Sequence, residues 1–302
     1  MKRNYLFFAV FFSIIVCLNA VELDDKIESL SEANAKEYLQ PLLNSYSANV
    51  NSGLYNTAKV LKPITFGFFV NGSISFVPDE DKKFKIQTLG LEDESDYEEW
   101  INEEETATVF GDEGAEIGPE GEEVSLPNGA DISAVPTAMP QFHLGLPKGN
   151  ELMVRFMPAV EINKDIGDLG FWGLGFKHSV SQYLPLVPID LALQGTYQSL
   201  SVGDIVDIES FSLNAQISKK LLMWTLYGGL SYENTKLTAE YEYEPNIEGE
   251  DYDPMKIDFE SDADNDIRAT VGFRYSLLLA KFYADYSYCK YPVVNLGIGL
   301  SF

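Results

Sequence analysis

The last ten residues set a pattern that recurs along the chain. Val294, Leu296, Ile298, Leu300 and Phe302 share one face of an extended strand, and Asn295, Gly297, Gly299 and Ser301 share the other. The same alternation runs upstream. Ile267, Ala269, Val271, Phe273, Tyr275 and Leu277 stand opposite Arg268, Thr270, Gly272, Arg274 and Ser276. Phe282, Ala284, Tyr286 and Tyr288 stand opposite Lys281, Tyr283, Asp285 and Ser287. Phe211, Leu213, Ala215 and Ile217 alternate with Ser212, Asn214, Gln216 and Ser218, and Ile189, Leu191 and Leu193 with Asp190 and Gln194. Two architectures use such strands: a soluble sandwich, with the apolar face as core, and a membrane barrel, with that face on lipid. Strand length separates them. Soluble strands are usually about 5–6 residues and tilted membrane strands about 9–11, and the runs here match the second. A chain that ends on such a strand with a terminal aromatic, Phe302, also has the end that the barrel-assembly machinery reads.

Tight connections at Lys219–Lys220, Leu278–Ala280 and Pro147–Asn150 are expected on the periplasmic side, where these barrels have short turns. Parity between them demands a strand at 255–260 beside those at 221–232, 234–245 and 267–278. Further strands are then expected near 64–77, 83–90, 104–110, 141–146, 152–162, 170–181 and 189–199. The expected fold is all-β: an antiparallel transmembrane β-barrel of about 12–14 strands over residues 63–302. Ahead of it, in residues 21–62, Ile27, Leu30, Tyr38, Leu39, Leu42, Leu43 and Tyr46 follow helical spacing, with Ser31 as N-cap and a kink or restart at Pro41. Such a helix either plugs the lumen or rests against the periplasmic end.

The N-terminus reads as a secretory leader. Lys2 and Arg3 precede an apolar run at residues 5–18, and Ala20 offers a cleavage position before Val21. That run is too short for a comfortable helical span, and nothing after residue 20 approaches the length of one. Cys17 follows Val16, where a lipobox wants a small residue, so a lipid anchor is disfavoured. Cleavage leaves one cysteine, Cys289, and no internal disulfide.

Charge adds one exclusion. The net charge is −26, and −28 once Lys2 and Arg3 are removed, so binding nucleic acid through phosphates is excluded. The acid is concentrated. Residues 79–131 carry nineteen Asp or Glu against three Lys, and residues 240–266 carry twelve against one. Both read as solvated loops, and most of the first lies in an acidic loop insertion at 91–140. Asp262, Asp264 and Asp266 alternate like the start of a calcium loop. Ile267 stands where that loop needs Gly, and its closing Glu is missing, so a solvated turn is the plainer reading and calcium the only cofactor to consider.

Catalytic chemistry finds little support, and no enzyme activity is expected. His178 is adjacent to Ser179, but neighbours in a strand point to opposite faces. His178 falls on the outer face with Trp172, Leu174, Phe176 and Val180, near a strand end. His143 falls on the lumen face with Gln141 and Gly145, in a hydrogen-bonding role. Cys289, beside Lys290, is expected to be inert.

The stretches GLYNTAKVLKP (53–63), FVPDEDKKF (76–84), ATVFG (107–111), MVRFMPAVEINKDIGDLGFWGLGFKHSVSQYLP (153–185) and YSYCKYPVVNLGIGLSF (286–302) resemble an uncharacterised family of exported proteins from Bacteroidota-type bacteria. In plan the chain is similar to the long-chain fatty-acid transporter (FadL-like) superfamily of outer-membrane barrels, although that family's plug motif is at most echoed at Asn51–Gly53. The resemblance implies passage or capture of small hydrophobic molecules in the outer membrane of a Gram-negative bacterium. The alternative is a structural or surface-binding barrel with a closed lumen and cation-binding acidic loops. Expected partners are outer-membrane lipid, the assembly machinery through Phe302, and apolar small molecules.

Overall fold

The computed structural model describes residues 30–89, 94–119, 123–163, 167–184, 187–203, 206–243 and 255–302. The expected leader, with Cys17 and Ala20, lies outside the described residues. A helix, α1 (Glu32–Val50), is followed by β1 (Phe66–Phe76), β2 (Lys83–Lys85), β3 (Glu105–Ala107), β4 (Glu116–Ile117), β5 (Val124–Ser125), β6 (Ala134–Leu146), β7 (Asn150–Asn163) and β8 (Gly167–Ser179). Then come β9 (Asp190–Val202), β10 (Val206–Leu221), β11 (Trp224–Tyr243), β12 (Met255–Asp262), β13 (Ile267–Leu277), β14 (Ala280–Tyr288) and β15 (Val293–Ser301).

Ten strands close a ring in the order β1, β6, β7, β8, β9, β10, β11, β13, β14, β15, with β10 also joined to β11. Every pairing is antiparallel, including the seam, where β15 lies on β1 from Gly67 opposite Ser301 to Ser75 opposite Val293. The Phe302 N–H closes that seam on the Phe66 carbonyl at 2.9 Å. Closure leaves no unpaired edge, as a sheet in hydrocarbon requires.

The two faces are inverted relative to a water-soluble protein. Phe68, Trp172, Leu174, Phe176, Leu213, Ile217, Leu230, Phe273, Leu296 and Ile298 are exposed on the outside. Asn71, Ser73, Gln141, Arg155, Gln198, Ser210, Asn214, Thr235 and Asn295 are buried on the inside. With its even strand number, this is a transmembrane β-barrel of the outer-membrane type.

The count is ten, fewer than the 12–14 expected, for three local reasons. The runs at 83–90 and 104–110 do contain strands, β2 and β3, but these pair only with each other outside the wall. The runs at 221–232 and 234–245 are one continuous strand, β11, because alternation carries straight through Glu233. Residues 255–260 pair as β12 with the projecting part of β11, from Lys236 to Tyr243, and take no part in the ring. β6 also begins at Ala134, seven residues before the strand expected at 141–146.

The two ends of the barrel differ. At one end are the turns Leu222–Met223 and Leu278–Leu279, whose first residues have φ of 56° and 52° as primed hairpin turns require. The turn expected at Lys219–Lys220 lies at Leu222–Met223, because β10 runs on to Leu221. At the other end the long β1–β6 connection and the β11–β12 hairpin rise above the wall. Much of the acidic insertion there is folded. Val109, Phe110, Ile117, Val124 and Leu126 are buried in one cluster with Tyr38, Leu39 and Leu43 of α1, and most of the described carboxylates there are exposed.

Leu174, mid-strand in β8 and exposed, tests the membrane reading. Leu174→Arg is expected to lower unfolding free energy in lipid vesicles by about 2–4 kcal/mol, the cost of Arg near the bilayer midplane. An unchanged value in denaturant titration means that this face does not meet lipid.

Candidate functional site

The lumen is occupied by the chain itself. α1 begins at the loop-rich end, where Ser31 Oγ and Asn34 Nδ2 both donate to the Thr88 carbonyl, at 2.7 and 2.8 Å. The Tyr38 hydroxyl donates to the Asn128 carbonyl at 3.1 Å. The helix runs on through Pro41 without a restart. Below it the chain crosses the remaining lumen and reaches β1 at the tight-turn end, where the Ile64 N–H donates to the Gly145 carbonyl at 3.0 Å. The segment therefore plugs the lumen from one end to the other.

Two arginines hold the helix C-terminus. A helix ends in carbonyls with no partner of their own and a partial negative charge, and burial in the lumen denies them water. Arg155, fully buried on β7, donates to the carbonyls of Val50 and Ser52 at 2.6 and 2.8 Å and to Gln141 at 3.0 Å. Arg268 on β13 donates to the Ala48 carbonyl at 2.8 Å and is paired with Glu233 at 2.6 Å. Neutral contacts fill in around them. Ser47 meets Thr235 at 2.9 Å, Asn49 donates to Ser75 at 3.1 Å, and Asn51 donates to Ser210 at 2.9 Å. Gly53 follows with φ +61°, and a Cβ there would lie 2.7 Å from Asn71 Oδ1, so the turn out of the helix requires glycine.

Lower down, a collar of Phe69, Met153, Tyr227 and Tyr283 projects from the wall and closes on Leu54 and Tyr55 of the plug. At the tight-turn mouth lies a buried charged cluster. His143 Nδ1 and Lys177 Nζ each stand 2.8 Å from Glu151 Oε1, and Glu151 Oε2 accepts the Leu61 N–H at 2.7 Å. Arg274 donates to Asn56 at 2.8 Å. The plug is thus tied at its top, at the helix end and at its exit.

His143 stands in the lumen, the face its strand pattern gives it. His178 lies at the outer rim of β8, with Nδ1 2.6 Å from Asn150 and Nε2 3.2 Å from Tyr183. Cys289 is buried, its Sγ is 3.0 Å from the Tyr291 carbonyl, and burial pushes its thiol up. Asp264 accepts from Asn44 at 3.0 Å and the Asp262 carbonyl from Gln40 at 3.0 Å, so this turn helps to dock the helix. Among the described residues no group of three or more His, Cys, Asp or Glu is clustered as a metal site. Sequence reading passed over Arg155, Glu151, Lys177 and Glu233. The signal for them is a charged residue within a strand on the lumen face, which needs a buried partner.

Arg155→Met removes the main donor to the helix end. It is expected to cost about 1–3 kcal/mol for each carbonyl left without a donor, and to make residues 32–60 cleavable by protease in the folded, detergent-solubilised protein. An uncut plug in the variant would mean that Arg155 does not hold it.

No curated protein matches the chain. Among solved structures, the outer membrane protease OmpT of Escherichia coli is similar at 11% identity over 82% of this chain and 100% of that one, with a TM-score of 0.34. Ail, the attachment invasion locus protein of Yersinia pestis, is similar at 12% identity over 80% and 99%, with a TM-score of 0.25. A loop-deletion mutant of OmpT, an outer membrane protein of Vibrio cholerae, is similar at 13% identity over 55% of this chain, with a TM-score of 0.27, and the chain spans about half of its length, 52%. The model that describes a family of unknown function (DUF6588) matches residues 1–302, and the chain belongs to that family.

Proposed function

We propose that the protein is a gated barrel of the Gram-negative outer membrane for the passage or uptake of small molecules with apolar parts, with residues 30–62 as the gate. The observation that carries this reading is the collar. Phe69, Met153, Tyr227 and Tyr283 make an apolar cluster on the wall below the helix end, separate from the one that packs on α1, and Leu54 and Tyr55 of the plug pack against it. A solute with an apolar or aromatic portion would take the place of those two side chains once the plug withdraws. The wall above the collar carries Ser73, Ser210, Ser212, Asn214, Thr235 and Asn295, groups that hold water when the helix leaves.

A second reading draws on the strength of the seal. The plug is bonded along its length, and a folded acidic cap covers its upper end. A permanently closed barrel that works through its outer surface would have the same features.

The two readings separate in liposomes. Ser47 and Thr235 touch, at 2.9 Å, so Ser47→Cys with Thr235→Cys places a disulfide between helix and wall. The gated reading expects solute uptake by the wild type, abolished in the oxidised double variant and restored by reductant. It also expects a stable conductance when residues 30–60 are deleted. Uptake indifferent to the disulfide, or no conductance after the deletion, sinks the gate.

A further inference from the structure

The tight-turn mouth contains a small cavity that neither the seal nor the collar needs. Tyr55, Lys59, Phe69, His143, Glu151, Lys177 and Arg274 help to line it, and it offers about 30 Å³ to water-sized groups. By the measure of about 10–15 Å³ for one water, it admits a few heavy atoms. Among the buried polar atoms of its lining residues without a hydrogen-bond partner are Nε2 of His143, a residue 3% exposed, Nε of Arg274 and the Tyr55 hydroxyl. Buried polar atoms are rarely left so, and two of opposite character facing one cavity are explained by a group held between them.

The chemistry of that partner follows from the donors. His143 Nδ1 faces the Glu151 carboxylate, which only accepts, so Nδ1 carries a proton. In the neutral ring Nε2 is then an acceptor and asks for an O–H. Arg274 offers an N–H and asks for an oxygen. Its guanidinium is otherwise bonded to neutral groups, Asn56 at 2.8 Å and Thr225 at 3.4 Å. Lys59, Lys177 and Arg274 bring three cations to the lining against one carboxylate, Glu151. A ligand satisfying all of this is small, anionic, and bears both a bare oxygen and a hydroxyl.

We propose that the tight-turn mouth is a binding site for a small oxyanion that keeps one proton, of the hydrogen phosphate or bicarbonate type. The hydroxyl donates to His143 Nε2, an unprotonated oxygen accepts from Arg274 Nε, and the exposed Lys59 ammonium covers the open side. Because Asn56 and Lys59 belong to the plug while His143 and Arg274 belong to the wall, the bound anion bridges the two and holds the plug's exit in place.

The test compares inorganic phosphate with sulfate, which has the same shape but no proton at neutral pH. Sulfate would set an oxygen against the Nε2 lone pair, and sites built to bond a hydroxyl reject an analogue without one. The full chain in detergent micelles is titrated with each anion at matched ionic strength, and the unfolding temperature is followed. Phosphate is expected to raise it saturably, and sulfate to bind roughly tenfold or more weakly. Arg274→Gln is expected to abolish the phosphate response. Lys59→Gln, at an exposed position, keeps the fold intact and is expected to weaken the response severalfold. Equal effects of the two anions mean that charge alone is read, and no saturable effect of phosphate means that the cavity holds water; either overturns the proposal. Neither outcome bears on the gate, because the disulfide experiment does not depend on this anion.

Discussion

The structure depends on how a helix end is satisfied away from water. α1 stops inside the barrel, and its last carbonyls would be orphaned there. Arg155 supplies two N–H groups to Val50 and Ser52, and Arg268 supplies one to Ala48. A buried guanidinium is costly unless its donors and its charge are met. The two sites solve this differently. Arg268 has the Glu233 carboxylate, whereas Arg155 has the negative end of the helix together with Gln141 and Gln198. Plug and wall therefore complete each other, since removing the helix leaves the Arg155 cation in the wall without its two carbonyl acceptors. That mutual need explains why the lumen is closed, and it sets the work an opening event must do.

Charge is also divided along the barrel axis. The tight-turn end carries Lys62, Lys148, Lys219 and Lys220 on its rim, all exposed, while most of the acid sits in the connections at the other end. Lys and Arg near a membrane surface are attracted by anionic headgroups. The acidic cap has an apolar interior shared with α1, so the loop-rich end is covered by folded protein with most of its described carboxylates exposed. The short, basic end and the tall, acidic end make the two mouths of the barrel chemically different.

Much of the wall was legible because a strand in lipid must alternate, and β1, β8, β10, β13, β14 and β15 lie where alternation places them. The strand number was not, for physical reasons. β2 and β3 alternate like wall strands but close only a two-stranded piece in the cap. β11 is twice the length of a membrane strand because its upper half pairs with β12 above the ring. The plug was visible as helical spacing around Tyr38, Leu39 and Leu43, but the helix passes Pro41 because packing on both sides offsets one missing N–H. His143 was legible as a lumen residue by parity alone. Its tie to Glu151 and Lys177 was not, since it joins three strand positions that only register brings together. The acidic stretch hid its apolar residues among many carboxylates. Val109, Phe110 and Ile117 have no common period, and their burial depends on α1 lying beneath them.

Everything above turns on α1 being fixed inside the lumen. Hydrogen exchange of the full chain in lipid nanodiscs measures this directly at the amides of residues 40–50. Protection in that stretch is expected to be comparable with the seam strands β1 and β15. Exchange there orders of magnitude faster than in the seam, with the barrel intact, would contradict it.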